Sequence, residues 1–226
     1  QVGRAPGRLR IALMTAPAAH SPVDPECLAA VRAAAKLCES LGHHVEEAAP
    51  ALDAAALGQA GFALIAPAVA ADVLDRAKAT GLDPAQLLEP ITQAFVAYGK
   101  GMGAMDVHRA NSAVQAAAIE MARFMESYDV ILSPTLAAPP LPLGRINLSP
   151  DCDFATWGQR AATFSPFTQV ANFTGQPAMS VPLAMSAAGL PVGVQFLGRY
   201  GDEALLLRLA AQLEQAAPWK GRKAKV

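Results

Sequence analysis

The sequence predicts an α/β fold with a mixed β-sheet covered by helices. Three observations carry this prediction. Strand, helix and strand patterns follow one another with short links through residues 9–48, as in a β-α-β unit. A short apolar run within residues 129–133, bounded by turn residues, is typical of a strand buried on both faces. Two more strand patterns, at 178–183 and 192–197, flank a turn containing Gly189, which predicts a hairpin.

The first third of the chain justifies the β-α-β unit. Residues 9–14 form a short apolar strand. Asp24, Pro25 and Glu26 then supply an N-cap, a proline at the first helical position and an acid in the first turn. The helix should stop at Gly42, and residues 43–48 read as the next strand. We expect the two strands to pair in parallel with a right-handed crossover.

The middle of the chain is Ala-rich and helical. The pattern predicts one helix over residues 54–79, kinked near Gly61 or Pro67, and a second over residues 84–98. A third is expected to begin with Asp106 as its cap and to run to Ser127. The sequence shows no linker or repeat, so we interpret residues 1–226 as one domain with a helical insert at 50–127.

The last third contains a proline-rich loop at 139–142, a helix within 151–170 broken near Pro166, the hairpin, and a final helix that starts at 201–203. Leucines at helical spacing, with Leu205, Leu209 and Leu213 among them, give that helix an apolar face.

Composition narrows the classes of function. The chain of 226 residues is 53% hydrophobic and 16% charged, with a mean hydropathy of +0.26. A net charge of −1 gives no electrostatic basis for binding nucleic acid or an anionic membrane. No run of ~18 apolar residues is free of charge, proline and glycine, so we predict a soluble protein. Cys27, Cys38 and Cys152 lack metal-type spacing. We expect Cys27 and Cys38 to be reduced thiols on a helix, which fits a cytoplasmic protein.

Four blocks in the second half, taken together, resemble a known family. They are DVILSPT at 129–135, FTQVANFTGQPAMSVPL at 167–183, GLPVGVQFLG at 189–198 and GDEALLLRLAAQLE at 201–214. In this order and spacing they resemble the C-terminal half of the amidase-signature family, and most closely bacterial amidases of the cyclic-dimer nylon hydrolase type. The resemblance is dense over residues 128–219 and looser over residues 9–45.

The resemblance implies hydrolysis of carboxylic amides through an acyl-enzyme, without metal or cofactor. In this family the nucleophile is a serine, a second serine lies at a cis peptide bond, and a lysine is the base. Those residues belong to the N-terminal half of the family pattern. We therefore expect a partial amidase-signature fold with no catalytic residue of its own.

The residues support this expectation. No serine of the chain lies in a Gly-Ser-Ser-Gly setting, and no lysine can be assigned as the family's base. Acyl transfer needs a nucleophile, a neighbouring base and oxyanion donors in one site. We predict that the chain alone does not turn over amides. Its serines are Ser21, Ser40, Ser112, Ser127, Ser133, Ser149, Ser165, Ser180 and Ser186.

Four residues are candidates for lining a substrate pocket. Thr135 opens a loop at the carboxyl end of a buried strand, where ligands often bind, although the prolines of this loop also serve simply to end the strand. Cys152 lies in a polar loop between matched blocks, and an exposed thiol without a role explains it equally well. Phe164 and Phe167 fit an apolar pocket, but aromatic residues at such spacings more often fill a core.

Three amides receive a structural interpretation. Asn172, Gln176 and Gln195 lie in apolar surroundings, where buried amides commonly tie loops to strands, and we favour that role over substrate contact. His43 and His44 are adjacent in a strand and should point to opposite faces, which argues against a joint metal site.

Several functions stay open. The leading hypothesis is the C-terminal portion of an amidase. The alternatives are a non-catalytic binding or assembly module with the same fold, and the amidase-type subunit of a tRNA-dependent amidotransferase. A partial sheet would expose an edge and an apolar surface, so we expect a homodimer or a covering chain. The expected ligand of the complete enzyme is a small-molecule amide.

Overall fold

The structure, a computed structural model, describes residues 2–147 and 153–224. Its strands form one five-stranded sheet in the order β2-β1-β3-β5-β4. β1 pairs in parallel with β2 and β3, whereas β5 is antiparallel to both β3 and β4. The predicted α/β class with a mixed sheet is confirmed. The strands are β1 (Arg10–Leu13), β2 (His44–Glu47), β3 (Val130–Pro134), β4 (Ala178–Met185) and β5 (Pro191–Gly198).

The helices of the described residues occupy the predicted regions. The helix expected over residues 54–79 is continuous and contains Pro67 in its interior. The helices are α1 (Pro25–Ser40), α2 (Ala54–Thr80), α3 (Pro84–Leu87), α4 (Pro90–Lys100), α5 (Ala104–Ser127), α6 (Phe154–Phe164), α7 (Gln169–Thr174) and α8 (Glu203–Ala216).

Two predicted helix boundaries were wrong. The helix expected over residues 84–98 is two helices, because Leu88 and Glu89 are extended before Pro90. A residue before proline avoids the helical region, since the proline ring crowds its backbone. Asp106 is not the first cap of α5. It lies in the first turn, where its Oδ2 accepts the Gly103 N–H at 3.0 Å.

The chain divides into two compact units. The sheet unit contains Gln1–Leu52, Ala118–Pro142 and Thr163–Val226, and the helical unit contains Asp53–Ala117 and Leu143–Ala162. The single domain and its insert at 50–127 stay predictions.

The core of the sheet unit has two layers because successive strand residues face opposite sides. Ile11 and Leu132 face the layer that also contains α1 and α8, and both are fully buried. Ala12 and Ile131 face the other layer, which holds Met121 and other residues from the end of α5. This covering of both faces explains the consecutive apolar residues Val130, Ile131 and Leu132 of β3.

Two arginines organise the junction of α5 and β3. Arg199 Nε donates to Met125 O at 3.0 Å, and its Nη2 lies 2.7 Å from Asp129 Oδ1. Arg10 Nη2 donates to Glu126 O at 3.2 Å, and the Arg10 N–H donates to Asp129 Oδ2 at 2.8 Å. The guanidinium groups therefore satisfy carbonyls at the end of α5 that have no intrahelical partner.

The C-terminal segment contacts the edge strand β4. Arg222 Nη1 donates to Pro182 O at 3.2 Å and to Leu183 O at 2.9 Å, at the point where the β4–β5 register shifts. Trp219 packs against the main core. These contacts occupy backbone acceptors that an edge strand otherwise presents to other chains.

In the helical unit, α2 and α4 approach closely at Gly99. A Cβ built at this position would lie 2.1 Å from Ala66 O and 2.9 Å from Pro67 N. Only glycine fits there, since both neighbouring atoms belong to the α2 backbone. Among the described residues, α2 alone is long and apolar enough to cross a membrane by length and composition, a test that core helices of soluble proteins also pass.

Candidate functional site

The loop that follows β3 borders a small hollow in the sheet unit. Its volume is about 120 Å³, and Thr135 is part of its wall. Thr135 Oγ1 lies 2.7 Å from Ser180 Oγ on β4, so the two hydroxyls form a hydrogen-bonded pair. Only one of the two hydroxyl hydrogens lies in this hydrogen bond, so the other hydroxyl hydrogen can be donated to a different acceptor. The wall is formed by Cys27, Thr135, Leu136, Ala138, Pro139, Pro140, Ser180, Pro191, Val192 and Gly193.

Gly193 makes room for this hydroxyl pair. A Cβ at Gly193 would lie 2.5 Å from Ser180 Oγ and 3.1 Å from Thr135 Oγ1. The Thr135 N–H donates to Gly193 O at 3.3 Å, which holds the start of the loop on β5. An isolated glycine in a strand pattern often marks such a close approach. Gly193 is therefore part of the site, and it is not among the candidates named from the sequence. The signal that could have identified it is a glycine inside a strand pattern.

Two backbone hydrogen bonds fix the loop. The Ala137 N–H donates to Phe164 O at 2.9 Å, and the Asp24 N–H donates to Ala137 O at 2.7 Å. Asp24 is the N-cap of α1, and its Oδ1 accepts the Glu26 N–H at 2.7 Å. The cap of α1 is thereby joined to the carboxyl end of β3 through the backbone of Ala137.

The thiol of Cys27 borders the hollow but is protonated at neutral pH. Burial, followed by the carboxylates of Asp24 and Glu26, raises the pKa of Cys27 to about 11. Burial and then Glu39 raise the pKa of Cys38 to about 12. Because the thiolate is the nucleophilic form, neither side chain is suited to attack a carbonyl.

The two phenylalanines predicted for the pocket have different environments. Phe167 is fully buried, and its carbonyl accepts a hydrogen bond from Gln195. Phe164 is half-buried, and its carbonyl anchors Ala137. Both residues therefore support the segment around the loop through their backbone. Cys152 lies outside the described residues.

Two of the three side-chain amides predicted to be structural are buried and hydrogen-bonded. Gln195 Nε2 donates to Ser133 Oγ at 3.3 Å and to Phe167 O at 3.4 Å, which joins β5, β3 and the segment before α7. Gln176 is buried and contacts the hydroxyl of Thr174, which also donates to Val170 O at 2.6 Å. Both glutamines thus link a loop to its neighbours. Asn172, by contrast, is exposed on α7.

His43 is a buried structural residue. Its Nδ1 accepts the Leu9 N–H at 3.1 Å, and its Nε2 lies 2.9 Å from Gln212 Oε1. The accepting Nδ1 places the proton on Nε2, which donates to Gln212. His44 is exposed, as expected for the next residue of a strand. Within residues 2–147 and 153–224, no group of three His, Cys, Asp or Glu side chains is arranged to hold a metal ion.

The helical unit holds a larger hollow of about 560 Å³. Half of its lining residues are alanines, and Tyr98, Asp106 and Arg109 are among the polar ones. This unit also holds an aromatic cluster in which Phe154 stacks on Trp157 with ring centroids 5.9 Å apart. The other members of the cluster are Phe62, Phe95 and Tyr98.

Known proteins share this architecture over nearly the whole chain. The solved structure of a 6-aminohexanoate cyclic dimer hydrolase matches 98% of the chain with a TM-score of 0.86 and 30% identity, and the chain covers 48% of that structure. The 6-aminohexanoate-cyclic-dimer hydrolase of Paenarthrobacter ureafaciens is 31% identical over an alignment of 243 positions that covers 96% of this chain and 46% of the relative. The putative amidase AmiC of Mycobacterium tuberculosis is 47% identical over 97 residues, which is 43% of this chain and 20% of the relative.

The fold is therefore that of the amidase-signature enzymes. The amidase family profile matches residues 1–207, and the chain belongs to the amidase family. The predicted resemblance is confirmed. The chain spans about half the length of the 6-aminohexanoate-cyclic-dimer hydrolases that it matches.

Proposed function

We propose that the chain forms the C-terminal part of an amidase that hydrolyses carboxylic amide bonds. One observation carries the proposal. The fold of a cyclic-dimer hydrolase matches 98% of the chain, while the chain accounts for 48% of that hydrolase. The matched part supplies a sheet and a rigid loop, and the reaction needs groups that we have not found in this sequence.

The surroundings of the described hydroxyls and thiols support the proposal that the acyl-transfer residues belong to another part of the complete enzyme. Ser133 is buried, and its hydroxyl donates to Pro134 O at 3.0 Å. The Ser180 hydroxyl is hydrogen-bonded to the Thr135 hydroxyl, and the thiol of Cys27 is protonated. Acyl transfer needs an activated nucleophile beside its base and beside oxyanion donors. In the proposed complete enzyme, two serines and a lysine from the N-terminal half of the family pattern would perform this step.

The proposed substrate is a small carboxylic amide, and the proposed chemistry needs neither metal nor cofactor. We further propose a cytoplasmic location, because the buried thiols are reduced. A second copy or a covering chain would shield the sheet edge and the exposed apolar side chains. Light scattering of the purified chain should give a mass above 23.4 kDa, and a monomer at micromolar concentration would contradict this part of the proposal.

The activity is tested with the purified chain and simple aryl and aliphatic amides. We expect no hydrolysis above the buffer rate. Ser133→Ala, Ser180→Ala and Cys152→Ala are the matched variants, since Ser133 and Ser180 lie within matched blocks and Cys152 lies in the stretch between two of them. Turnover that one of these substitutions abolishes would show that the chain carries its own nucleophile.

The coding DNA upstream of Gln1 separates the two leading functions. An in-frame Gly/Ser-rich block preceded by a lysine codon would supply the acyl-transfer residues and support the amidase. A start codon immediately before the first strand would favour a non-catalytic module with the amidase fold.

A further inference from the structure

The 560 Å³ hollow of the helical unit has the size of a small-molecule site, since such sites span roughly 300–1,000 Å³. It is lined by residues of α2, α4 and α5 and by Met102, which lies between the last two of these helices. Its lining residues all belong to the helical unit. It shares no residue with the hydroxyl-lined hollow of the sheet unit.

Opposite charges stand side by side in its wall. Arg109 Nη1 and Asp106 Oδ1 are 4.0 Å apart, which is an ion pair but is too long for a hydrogen bond. Both groups are accessible, because the side chain of Arg109 is 72% exposed and that of Asp106 is 45% exposed. The Gly103 N–H, which donates to Asp106 Oδ2, fixes the carboxylate in place. A ligand can therefore meet a positioned anion and a cation together.

Most of the remaining wall is apolar. Ala56, Ala60, Ala63, Ala110 and Ala113 contribute only methyl groups, and Met102 adds a flexible thioether side chain. Such a wall leaves room for a short aliphatic chain and offers it van der Waals contact. Gln59 and Tyr98 are the other polar residues of the wall.

We propose that this hollow binds an α-amino acid with an aliphatic side chain. The carboxylate of the ligand bonds to the Arg109 guanidinium, its ammonium group bonds to the Asp106 carboxylate, and its side chain lies on the alanine wall. In an α-amino acid the two charged groups are attached to one carbon, which matches the adjacent positions of Asp106 and Arg109. This proposal is independent of amide hydrolysis.

The charges disfavour simpler ligands. A carboxylate without an ammonium group would be attracted by Arg109 but repelled by Asp106 a few ångströms away. An amine without a carboxylate would be attracted by Asp106 but repelled by Arg109. The zwitterion gains both attractions, so binding should depend on both ends of the ligand.

The test uses three ligands that differ by one charged group. L-norleucine carries both groups, hexanoate is norleucine without the ammonium group, and pentylamine is norleucine without the carboxylate. Each is titrated into the full ¹⁵N-labelled chain. The reporter is the amide signal of Gly103, since this N–H donates to Asp106. We expect norleucine to bind about fivefold more tightly than either analogue, the effect of one exposed ion pair.

Two variants test which charged group of the ligand is bound by Arg109 and which by Asp106. Arg109→Gln should weaken norleucine about fivefold and leave pentylamine no weaker, and Asp106→Asn should weaken norleucine and strengthen hexanoate. Neither substitution should disturb α5, because both side chains are largely or partly exposed. Arg123→Gln is the matched control, since Arg123 lies on the same helix and pairs with Glu120 at 2.7 Å. It should leave all three affinities unchanged.

A third variant tests whether the ligand occupies the hollow. Ala56→Leu should fill part of the hollow from a half-buried position and weaken norleucine, while far-ultraviolet circular dichroism stays that of the unchanged chain. Three results would overturn the proposal: no saturable shift of Gly103 with norleucine, equal affinity for the three ligands, or equal losses in Arg109→Gln and Arg123→Gln.

Discussion

Replacement of Gly99 by alanine should destabilise the helical unit strongly. The new Cβ would lie 2.1 Å from Ala66 O and 2.5 Å from Ala66 C. An ordinary contact of at least 3.4 Å requires a shift of about 1.3 Å, the difference between 3.4 and 2.1. Both contacting atoms are backbone atoms inside α2, so no side-chain rotation relieves the contact, and α2 and α4 must separate.

The magnitude follows from two opposing effects. Overpacking that moves backbone typically costs about 1–3 kcal/mol. Alanine in a helix gains about 1 kcal/mol over glycine, which offsets part of this cost. A contact as short as this one belongs at the upper end of the first range. We expect the free energy of unfolding to fall by about 2 kcal/mol.

Urea unfolding followed by tryptophan fluorescence measures this change. Trp157 belongs to the helical unit and Trp219 to the sheet unit, so a Trp219→Phe background reports the helical unit alone. Gly58→Ala is the matched control, because Gly58 lies in α2 and a Cβ added there would meet no atom within 4 Å. Gly58→Ala should stabilise by up to about 1 kcal/mol. A Gly99→Ala chain as stable as Gly58→Ala would refute the close packing of α2 and α4.

Three further predictions concern the sheet unit. His43→Leu leaves the buried Leu9 N–H without its acceptor and should lower the free energy of unfolding by about 1–3 kcal/mol in urea, whereas His43→Asn, which keeps an acceptor, should lose less. The folded pKa values of Cys27 and Cys38, about 11 and 12, lie above the ordinary 9.0, so their contribution to stability is complete below about pH 9 and is lost as the pH rises through these folded values. Urea unfolding across this range should show a smaller decline in Cys38→Ala than in the unchanged chain, and equal declines would contradict the shift. Arg222→Ala removes two hydrogen bonds to β4 and should accelerate hydrogen exchange in that strand, an effect that should not appear in Lys223→Ala.

Local patterns predicted most of the fold because strands, caps and turns depend on neighbouring residues. Asp24 caps α1 as its position before the helix indicated, and α8 begins at Glu203, within the start predicted at 201–203. The break before Pro90 had the same kind of local signal, since proline restricts the residue before it, and that signal was missed. The family blocks predicted the sheet, and the matching structure confirms it.

The candidate site was less predictable because its partners are far apart in the chain. Ser180 lies 45 residues from Thr135, and nothing in either neighbourhood indicates that the hydroxyls meet. Cys27 comes from the first helix and reaches the same hollow. Asn172 and Gln176 have similar surroundings in sequence, but one is exposed and the other is buried.

The sequence by itself determined the fold class, the order of the strands along the chain and the family, because hydrophobic periodicity and co-ordered blocks are written in the chain. Only the tertiary structure decided which polar groups pair. It placed the Gln195 amide on Ser133, the Gly193 backbone beneath two hydroxyls, and Arg109 and Asp106 in one wall. These outcomes depend on strand register and helix packing, and both are settled by contacts between distant segments.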